Sequence, residues 1–461
     1  MNASIHPADS AIFGTLFGTD AMRAIFAERA LFARMLDVEA ALARCQGRLG
    51  IIPAEAADAI SRAANLDCLD ALDALDAKEL ATSVQHVGYP VVAVVRALSR
   101  AAGEDAGRWT HWGATTQDIL DTAVVLQIRD GLARVRQTLI ETIGALARQA
   151  DRHRATTMVG RTHLQQAAPI SFGLKCAVWL APLVAHVERL DQLRPRVERV
   201  ELGGAAGTLA SLGDRGTAVM DALAAELGLA SPPVPWHVAR DGFAEAVAFL
   251  GLLCGSLAKI ATDVILLGQT EVGELFEPYE DGRGGSSTMP QKRNPIASEY
   301  VIAAARAVHA LVPLMQGAMV QDHERASGPW QSEALALPQA FVLAHGALEH
   351  TRRIVEGMQP DPARMLRNTG AGGGLLMAEA VMMELAPRVG RSAAHHLVQE
   401  VCKRAESERI DLAEALRRTP ETRAQLDDAA IARATDPSRY LGSAGTFIDR
   451  VLAQAHALRM A

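Results

Sequence analysis

The stretch from residue 284 to residue 295 reads Gly-Gly-Ser-Ser-Thr-Met-Pro-Gln-Lys-Arg-Asn-Pro and carries the strongest clue to the fold. Glycines at its start allow backbone conformations that other residues avoid. From Arg283 to Pro295 there is no acidic residue, so the segment has a formal charge of +3. Long loops in compact domains are usually functional or disordered. We therefore interpret residues 277–295, called the cationic loop below, as a lid for an anionic small molecule rather than as an ordinary Gly/Ser connector.

The composition indicates a soluble, helical protein. Of the 461 residues, 49% are hydrophobic and 21% are charged, which is typical of a globular protein with a large core. Aromatic residues make up only 4%, while Ala and Leu abound, and this balance favours helix over strand. The net charge of −7 lacks the global basic field that nucleic-acid binding requires, so no nucleic-acid partner is predicted.

Cysteine usage and hydropathy bear on metals and on the cellular compartment. The five cysteines are scattered and form no Cys-x-x-Cys pair, which predicts buried reduced thiols rather than disulfides or metal ligands. The first residues lack a basic region followed by an apolar run, and no uncharged apolar run reaches transmembrane length. We therefore expect a cytoplasmic protein with no metal and no membrane partner.

Helical periodicity dominates the chain. Apolar residues at helical spacing form three runs: Val135, Leu139, Ile143, Leu146 and Ala150; Phe172, Cys176, Trp179 and Leu183; and Val247, Leu250, Leu253, Leu257, Ile260, Val264 and Leu267. Further helices are expected over about 296–320 and 336–358, and alternating strand patterns are almost absent. Such long helices belong to a bundle core. The sequence predicts an all-α protein with a small N-terminal domain (1–110), a long-helix central domain (111–360) and a small helical C-terminal domain (361–461).

One polar island interrupts this pattern at residues 111–118, His-Trp-Gly-Ala-Thr-Thr-Gln-Asp. Thr115 or Thr116 is suited to cap a helix that starts near Gln117. The free backbone amides of such a helix start form a ready anion site, although a simple helix cap is the more ordinary interpretation of this island taken alone. The run His-Glu-Arg at 323–325 is interpreted as a solvated charge cluster.

A second island covers residues 160–166, Gly-Arg-Thr-His-Leu-Gln-Gln, just before a predicted helix. Histidine is suited to proton transfer near neutral pH. A lone histidine is more often structural than catalytic, but polar neighbours on both sides of His163 make it a candidate acid or base.

The segment Gly285–Pro295 resembles the signature loop of the fumarase/aspartase superfamily, and the islands at 111–118 and 160–166 match its other conserved regions in the same order. The resemblance implies a three-domain, all-α fold that assembles as a homotetramer around a twenty-helix bundle. It also implies that each active site takes its three motif regions from three subunits and that no cofactor is needed.

The resemblance also implies roles for individual residues. Ser287 matches the proton-transfer residue of the loop, His163 matches its partner acid or base, and Lys292 and Asn294 match groups that hold substrate carboxylates. A serine hydroxyl must be activated by its surroundings, and fixed donors stabilise the charge that develops on a carboxylate. The other predicted substrate-binding residues are Thr115, Thr116, Gln117, Thr162, Gln166, Ser286, Met289 and Arg293.

Two branches of the superfamily remain in question. Adenylosuccinate lyases resemble the chain at Arg240-Asp241, but they usually carry a Gln near position 236, and a Ser and an Arg near positions 330 and 334, that serve the nucleotide. The chain has Trp236, Trp330 and Ala334 there, and a phosphate pocket needs charge-assisted contacts.

The stretches 328–333 and 440–444 instead look like the bacterial cycloisomerases that act on 3-carboxy-cis,cis-muconate. This branch implies a tricarboxylate substrate whose own carboxylate adds to a conjugated double bond, giving 4-carboxymuconolactone. Either Ser287 or His163 would deliver the proton. The alternatives are an elimination of the adenylosuccinate lyase type, which releases fumarate, and a non-catalytic structural relative.

Overall fold

A computed structural model describes residues 6–71, 77–278, 280–282, 284–285, 288–289 and 291–460. Helices dominate these residues, which confirms the predicted all-α class. The helices are α1 (Gly14–Phe17), α2 (Asp20–Phe26), α3 (Glu28–Arg48), α4 (Ala54–Ala63), α5 (Leu66–Ala71), α6 (Ala77–Val87), α7 (Val91–Ala102), α8 (Glu104–Gly107), α9 (Thr116–Arg152), α10 (Phe172–Val197), α11 (Gly216–Leu227), α12 (Asp241–Leu267), α13 (Ile296–Ala318), α14 (Pro329–Gly357), α15 (Pro362–Thr369), α16 (Ala378–Val389), α17 (Arg391–Glu408), α18 (Leu412–Arg418), α19 (Pro420–Arg423), α20 (Asp428–Ala434) and α21 (Ala444–Met460).

Within the described part of the chain, four short strands accompany the helices. They are β1 (Thr157–Thr162), β2 (Gln165–Ser171), β3 (Leu275–Phe276) and β4 (Gln359–Pro360), and they pair antiparallel as β1 with β2 and β3 with β4. The β1–β2 hairpin corrects the expectation that residues 160–166 form an island directly before a helix. Strand β2 separates the turn at His163 from the start of α10.

The chain divides into two compact units. The first contains Met1–Gln137, Val187–Gly255 and Ala303–Glu349, and the second contains Thr138–His186, Ser256–Ile302 and His350–Ala461. Each of the long helices α9, α10, α12, α13 and α14 contributes residues to both units. The division into domains 1–110, 111–360 and 361–461 stays a prediction.

The long helices bury the residues that the periodicity selected. All five predicted positions of α9, all four of α10 and all seven of α12 are at most 4% exposed. Burial of apolar surface is the main favourable term in folding. The apolar positions predicted for these three helices are therefore buried in the structure.

The C-terminal helices of the second unit pack around a hydrophobic cluster of their own. Its buried members come from the segment that begins at the 3-10 helix Leu375–Met377 and ends in α20. They are Leu376, Met377, Ala380, Val381, Leu385, Ala394, Val398, Val401, Ala405, Leu412, Ala415, Leu416, Leu426, Ala430 and Ile431.

Two helices, α12 and α13, are long and apolar enough to cross a membrane by length and composition alone. Half of the most apolar window of α12 and a third of that of α13 are buried within the fold. Core helices of soluble proteins pass the same test, and Lys259 and Asp263 interrupt α12 with charge.

The cysteine prediction can be checked at four positions. Cys45, Cys176 and Cys254 are free and buried, and Cys402 is free and half-buried. Burial raises the pKa of the Cys254 thiol to about 12, so this group stays protonated and unreactive. The side chain of Cys68 lies outside the described residues.

Candidate active site

The first predicted site segment forms the start of α9 in the first unit. Thr115 precedes the helix, and the Asp118 carboxylate in the first turn accepts the Thr115 N–H at 2.8 Å. A carboxylate that reaches back to the capping residue stabilises a helix start. The negative charge of the same side chain also interacts favourably with the positive, N-terminal end of the helix dipole. The structure thus explains why the sequence Thr-Thr-Gln-Asp begins a helix here.

Asp118 also fixes a neighbouring loop. Its Oδ1 accepts the Gly203 N–H at 2.9 Å and lies 2.7 Å from the His237 Nε2, while its Oδ2 accepts the Gly204 N–H at 3.0 Å. A Cβ atom at Gly203 would lie 2.7 Å from the His237 ring, so only glycine fits there. The helix start is therefore held by a buried carboxylate that accepts four hydrogen bonds.

Among the described residues, Asp118, Glu201 and His237 form a group whose possible metal-ligand atoms lie within 4.8 Å of one another. Both oxygens of Asp118 are already occupied by two donors each. A carboxylate oxygen offers about two acceptor sites. We therefore interpret the group as a scaffold for the start of α9.

Glu201 is the unusual member of this group. It is fully buried, its Oε2 accepts the Trp236 N–H at 2.6 Å, and its Oε1 has no hydrogen-bond partner. Burial, together with the nearby Asp121 and Asp118 carboxylates, raises the pKa of Glu201 to about 9. Glu201 is therefore neutral at pH 7, which lowers the cost of burying it beside Asp118.

Replacing Glu201 with glutamine is expected to flatten the decline of stability with rising pH. The folded-state pKa of Glu201, about 9, exceeds its ordinary value of 4.5, so between these values only the folded state keeps the proton. The contribution of this bound proton to the stability of the folded state is fully present below about pH 4.5 and is lost as pH rises through about 9. Thermal unfolding of Glu201→Gln from pH 6 to pH 9 should show a smaller drop in Tm than the wild type.

The control for this experiment is Glu226→Gln. Arg44 and Arg48 lower the pKa of Glu226, so the Glu226 carboxyl is ionised in both the folded and the unfolded chain above pH 6. This variant should keep the wild-type slope between pH 6 and pH 9. An equal slope in Glu201→Gln and the wild type would contradict a protonated Glu201.

Arg325 lies against the same helix start, which the sequence interpretation missed. Its Nη1 donates to the Thr115 hydroxyl at 3.1 Å and its Nη2 donates to the Ala205 carbonyl at 3.2 Å. The interpretation of residues 323–325 as a solvated charge cluster is therefore wrong for Arg325. A guanidinium beside a helix N-terminus adds positive charge where backbone amides already favour an anion.

The three predicted binding residues here differ in exposure. Thr115 and Thr116 are half-buried, whereas Gln117 is fully buried. The Gln117 Nε2 donates to the Asp121 Oδ2 at 3.0 Å and to the His237 carbonyl at 2.9 Å. Substrate binding by these residues stays a prediction, and in this structure the Gln117 amide nitrogen is engaged within the first unit.

A buried ion cluster lies one turn further along α9. Arg240 donates to Asp121 (Nη1 to Oδ2, 2.6 Å) and to Glu333 (Nε to Oε1, 2.8 Å), and all three side chains are at most 5% exposed. Burial lowers the pKa of Arg240, but the two carboxylates raise it overall. The indole N–H of Trp330 donates to the Asp121 Oδ1 at 3.1 Å.

Aromatic rings enclose the Arg240 guanidinium. Its central carbon lies 4.8 Å from the ring centre of Trp236 and 4.7 Å from that of Phe243. Trp330 and Ala334 line a largely apolar cavity of about 290 Å³ in the same unit. Trp236 contacts the Arg240 guanidinium and Trp330 donates to Asp121, so the two positions discussed above for a nucleotide pocket carry aromatic side chains beside this ion cluster.

The second predicted segment is the turn of the β1–β2 hairpin in the second unit. His163 and Leu164 connect the strands, and both have positive φ angles, 52° and 63°. Residues other than glycine pay about 1–2 kcal/mol each for this left-handed conformation. Thr162, His163 and Gln166 are exposed on the hairpin. The candidate acid or base therefore lies on a tight turn that is open to a ligand or a partner subunit.

The base of the cationic loop is closed by several contacts in the second unit. The Asn294 N–H donates to the Gly284 carbonyl at 2.9 Å, and a Cβ at Gly284 (φ +70°) would lie 2.7 Å from the Asn294 carbonyl oxygen. Arg293 donates to the Gln359 Oε1 at 3.1 Å. The Glu277 Oε1 accepts the Ser298 N–H at 2.7 Å and so caps the start of α13.

These contacts give different environments to the predicted residues of the loop. Met289 and Lys292 are exposed, Asn294 is half-buried, and Arg293 holds the loop base. Arg293, Asn294 and Glu299 line a cavity of about 300 Å³. Ser286 and Ser287, which are also predicted site residues, lie outside the described residues. Roles in binding and catalysis for all of these residues stay predictions.

Comparison with known proteins identifies the class. The sequence profile of the lyase family matches residues 17–310, and a profile described as the adenylosuccinate lyase C-terminus matches residues 374–451. The chain belongs to this lyase family, which confirms the resemblance to the fumarase/aspartase superfamily.

Individual relatives indicate which members of the family the chain resembles. The chain is 45% identical to 3-carboxy-cis,cis-muconate cycloisomerase from Pseudomonas aeruginosa over 97% of each chain. Its fold matches the crystal structure of 3-carboxy-cis,cis-muconate lactonizing enzyme from Pseudomonas putida with a TM-score of 0.92 and 40% identity, covering 98% of this chain and 100% of the other. It is also 43% identical to trans-aconitate decarboxylase 1 from Mycosarcoma maydis, over 97% of this chain and 90% of that protein.

Proposed function

We propose that this chain is a cycloisomerase that converts 3-carboxy-cis,cis-muconate to 4-carboxymuconolactone. The observation that carries the proposal is the full-length similarity to several proteins of that name, in both sequence and fold. The reaction is part of aromatic catabolism, the protocatechuate branch of the β-ketoadipate pathway.

The chemistry needs little more than orientation and one proton. An oxygen of one substrate carboxylate forms a bond to a carbon of a conjugated double bond. The π electrons of that double bond move to the carbon next to another carboxylate, and a proton is delivered to this carbon. Because the attacking group is tethered, holding the substrate in a reactive conformation removes much of the entropic barrier. A positioned acid supplies the proton.

The electrostatics of the predicted segments suit a substrate with three carboxylates. The start of α9 offers backbone amides beside Arg325, and the cationic loop offers Lys292 and Asn294. Fixed donors of this kind stabilise negative charge without reorganisation during the reaction. We assign proton delivery to Ser287 or His163.

The surroundings of Arg240 support a small substrate over a nucleotide. Trp236 and Trp330 stand where adenylosuccinate lyases use polar groups, and the Trp330 indole is fixed by Asp121. The Arg240 guanidinium is already paired with Asp121 and Glu333, so it is not available for the charge-assisted contacts that a nucleotide phosphate requires. An adenylosuccinate-type elimination is therefore the weaker alternative.

We further propose that the protein is a cytoplasmic homotetramer in which three subunits contribute to each active site. The superfamily resemblance supports this assembly. It also accounts for the wide separation of the three predicted segments along the chain, because they need not meet within one subunit.

The direct test is an absorbance assay on the purified protein. Addition of 3-carboxy-cis,cis-muconate is expected to give a protein-dependent loss of the conjugated ultraviolet absorbance, and NMR should identify the lactone as the product. Adenylosuccinate is assayed separately, as the substrate of the alternative elimination. An unchanged muconate spectrum would rule out the proposed reaction, and activity on neither of these substrates nor on trans-aconitate would favour a non-catalytic relative.

A second candidate reaction is the decarboxylation of trans-aconitate, because the relative of that name is nearly as similar as the cycloisomerases. Trans-aconitate is also an unsaturated tricarboxylate, so the same cationic groups could bind it. Release of CO₂ from trans-aconitate, with no lactone formed from muconate, would favour this reaction.

A further inference from the structure

The buried Glu274 forms a charged contact with the hairpin that carries His163. Its Oε2 accepts from the Arg161 Nη1 at 2.9 Å, and its Oε1 accepts from the Arg161 Nη2 at 2.8 Å. The side chain of Glu274 is 0% exposed. Two parallel charge-assisted hydrogen bonds fix both the distance and the orientation of the guanidinium. Arg161 therefore anchors β1 two residues before His163.

The second strand of the hairpin is linked to the same carboxylate through Asn368. The Asn368 Nδ2 donates to the Glu274 Oε1 at 2.7 Å and to the Val272 carbonyl at 2.9 Å. The Asn368 carbonyl accepts from the Gln166 Nε2 at 3.3 Å. Both strands that flank the turn are thus connected to Glu274.

Glu274 also sits at the entry to the cationic loop. Its N–H donates to the Leu267 carbonyl at 2.8 Å, and its carbonyl accepts the Asp361 N–H at 2.9 Å. Strand β3 follows at once, and Glu277 then caps the start of α13. A single residue therefore joins the hairpin to the base of the loop within the second unit.

The conformation of the turn shows why such an anchor is needed. His163 and Leu164 are both left-handed, and Leu164 is 81% exposed, so packing of its side chain does not compensate for this backbone conformation. Strained backbone of this kind persists where the surrounding structure determines it, and it is concentrated at functional sites. The contacts of Arg161 and Gln166 on the two flanking strands hold the turn in this conformation.

We propose that Glu274 is a positioning residue that holds His163 in its reactive orientation through Arg161 and Asn368. It does not touch the substrate. The inference rests on the proposed function, because it concerns the same site. Loss of this anchor should misplace the imidazole, and displacements of about 1 Å can cost about 10²-fold in rate.

The test is Glu274→Gln in the full chain. The amide keeps the size of the side chain, but its NH₂ group cannot accept from Arg161 or Asn368. With 3-carboxy-cis,cis-muconate as the substrate, kcat is expected to fall about 10- to 100-fold while KM changes less than about threefold. The matched control is Glu226→Gln, which breaks the partly exposed pairs with Arg44 and Arg48 and should keep kcat within about twofold of the wild type.

A double-mutant cycle separates positioning from a merely structural role. In a His163→Asn background, Glu274→Gln should lower kcat by less than about twofold, because the group that it positions is already absent. A full additional loss in that background would overturn the proposal, as would a wild-type kcat in Glu274→Gln alone.

A second variant covers a failure of Glu274→Gln to fold. Arg161→Lys keeps the charge but cannot form the two parallel bonds, and the same cycle and the same criteria apply to it. A wild-type chain that leaves muconate unchanged would instead refute the proposed function. The two failures are therefore distinguishable.

Discussion

Replacing Ser287 with alanine, or His163 with asparagine, is expected to lower kcat on 3-carboxy-cis,cis-muconate by about 10²- to 10⁴-fold in each case, because each removes a group that can transfer a proton. The thermal stability should change little in His163→Asn. The side chain is exposed, and asparagine tolerates the left-handed conformation of the turn better than most residues. Steady-state absorbance kinetics and thermal unfolding provide the two measurements.

The matched controls for these variants are Ser407→Ala and His456→Asn, at exposed positions of α17 and α21. Both controls should retain wild-type rates. A wild-type rate in either Ser287→Ala or His163→Asn would remove that residue from the reaction. A large loss in only one of them would identify the proton donor between the two candidates.

Mixing the two inactive variants should restore activity, and this is the second large effect that we expect. If Ser287 and His163 in one site come from different subunits, randomly mixed tetramers contain some sites with both native residues. Equal amounts of Ser287→Ala and His163→Asn should recover about a quarter of the wild-type activity. The experiment requires unfolding the two proteins together and refolding them, followed by the absorbance assay.

The control for complementation is each variant refolded alone, which should stay inactive. Mass measurement by light scattering should give about four times the chain mass of 49.1 kDa. A tetramer that regains no activity after mixing would show that both residues of a site come from one subunit. A monomer with full activity would contradict the shared site altogether.

The sequence predicted the long helices well because their buried apolar residues recur at helical spacing. Residues such as Val135, Leu146 and Leu257 follow the helical spacing, and all are buried. The cationic loop and its two companion islands also led directly to the lyase family. These features are local in sequence, so a single chain contains enough information to recognise them.

The hairpin and its anchors could not be predicted in the same way. Two-residue hairpin turns usually carry glycine or asparagine, whereas this turn uses His163 and Leu164. The contacts between Arg325 and Thr115, and between Arg161 and Glu274, join residues that are 210 and 113 positions apart. A charged residue gives no indication along the sequence of which distant partner it will meet.

The cluster around Arg240 has a consequence for the evolution of substrate choice. A change of Trp330 to serine, as a route towards a polar nucleotide pocket, would remove the indole donor from Asp121 and open space beside Glu333. The resulting loss of stability would occur before any new ligand could bind. A polar substitution at position 330 is therefore disfavoured unless another change compensates for the lost indole contact.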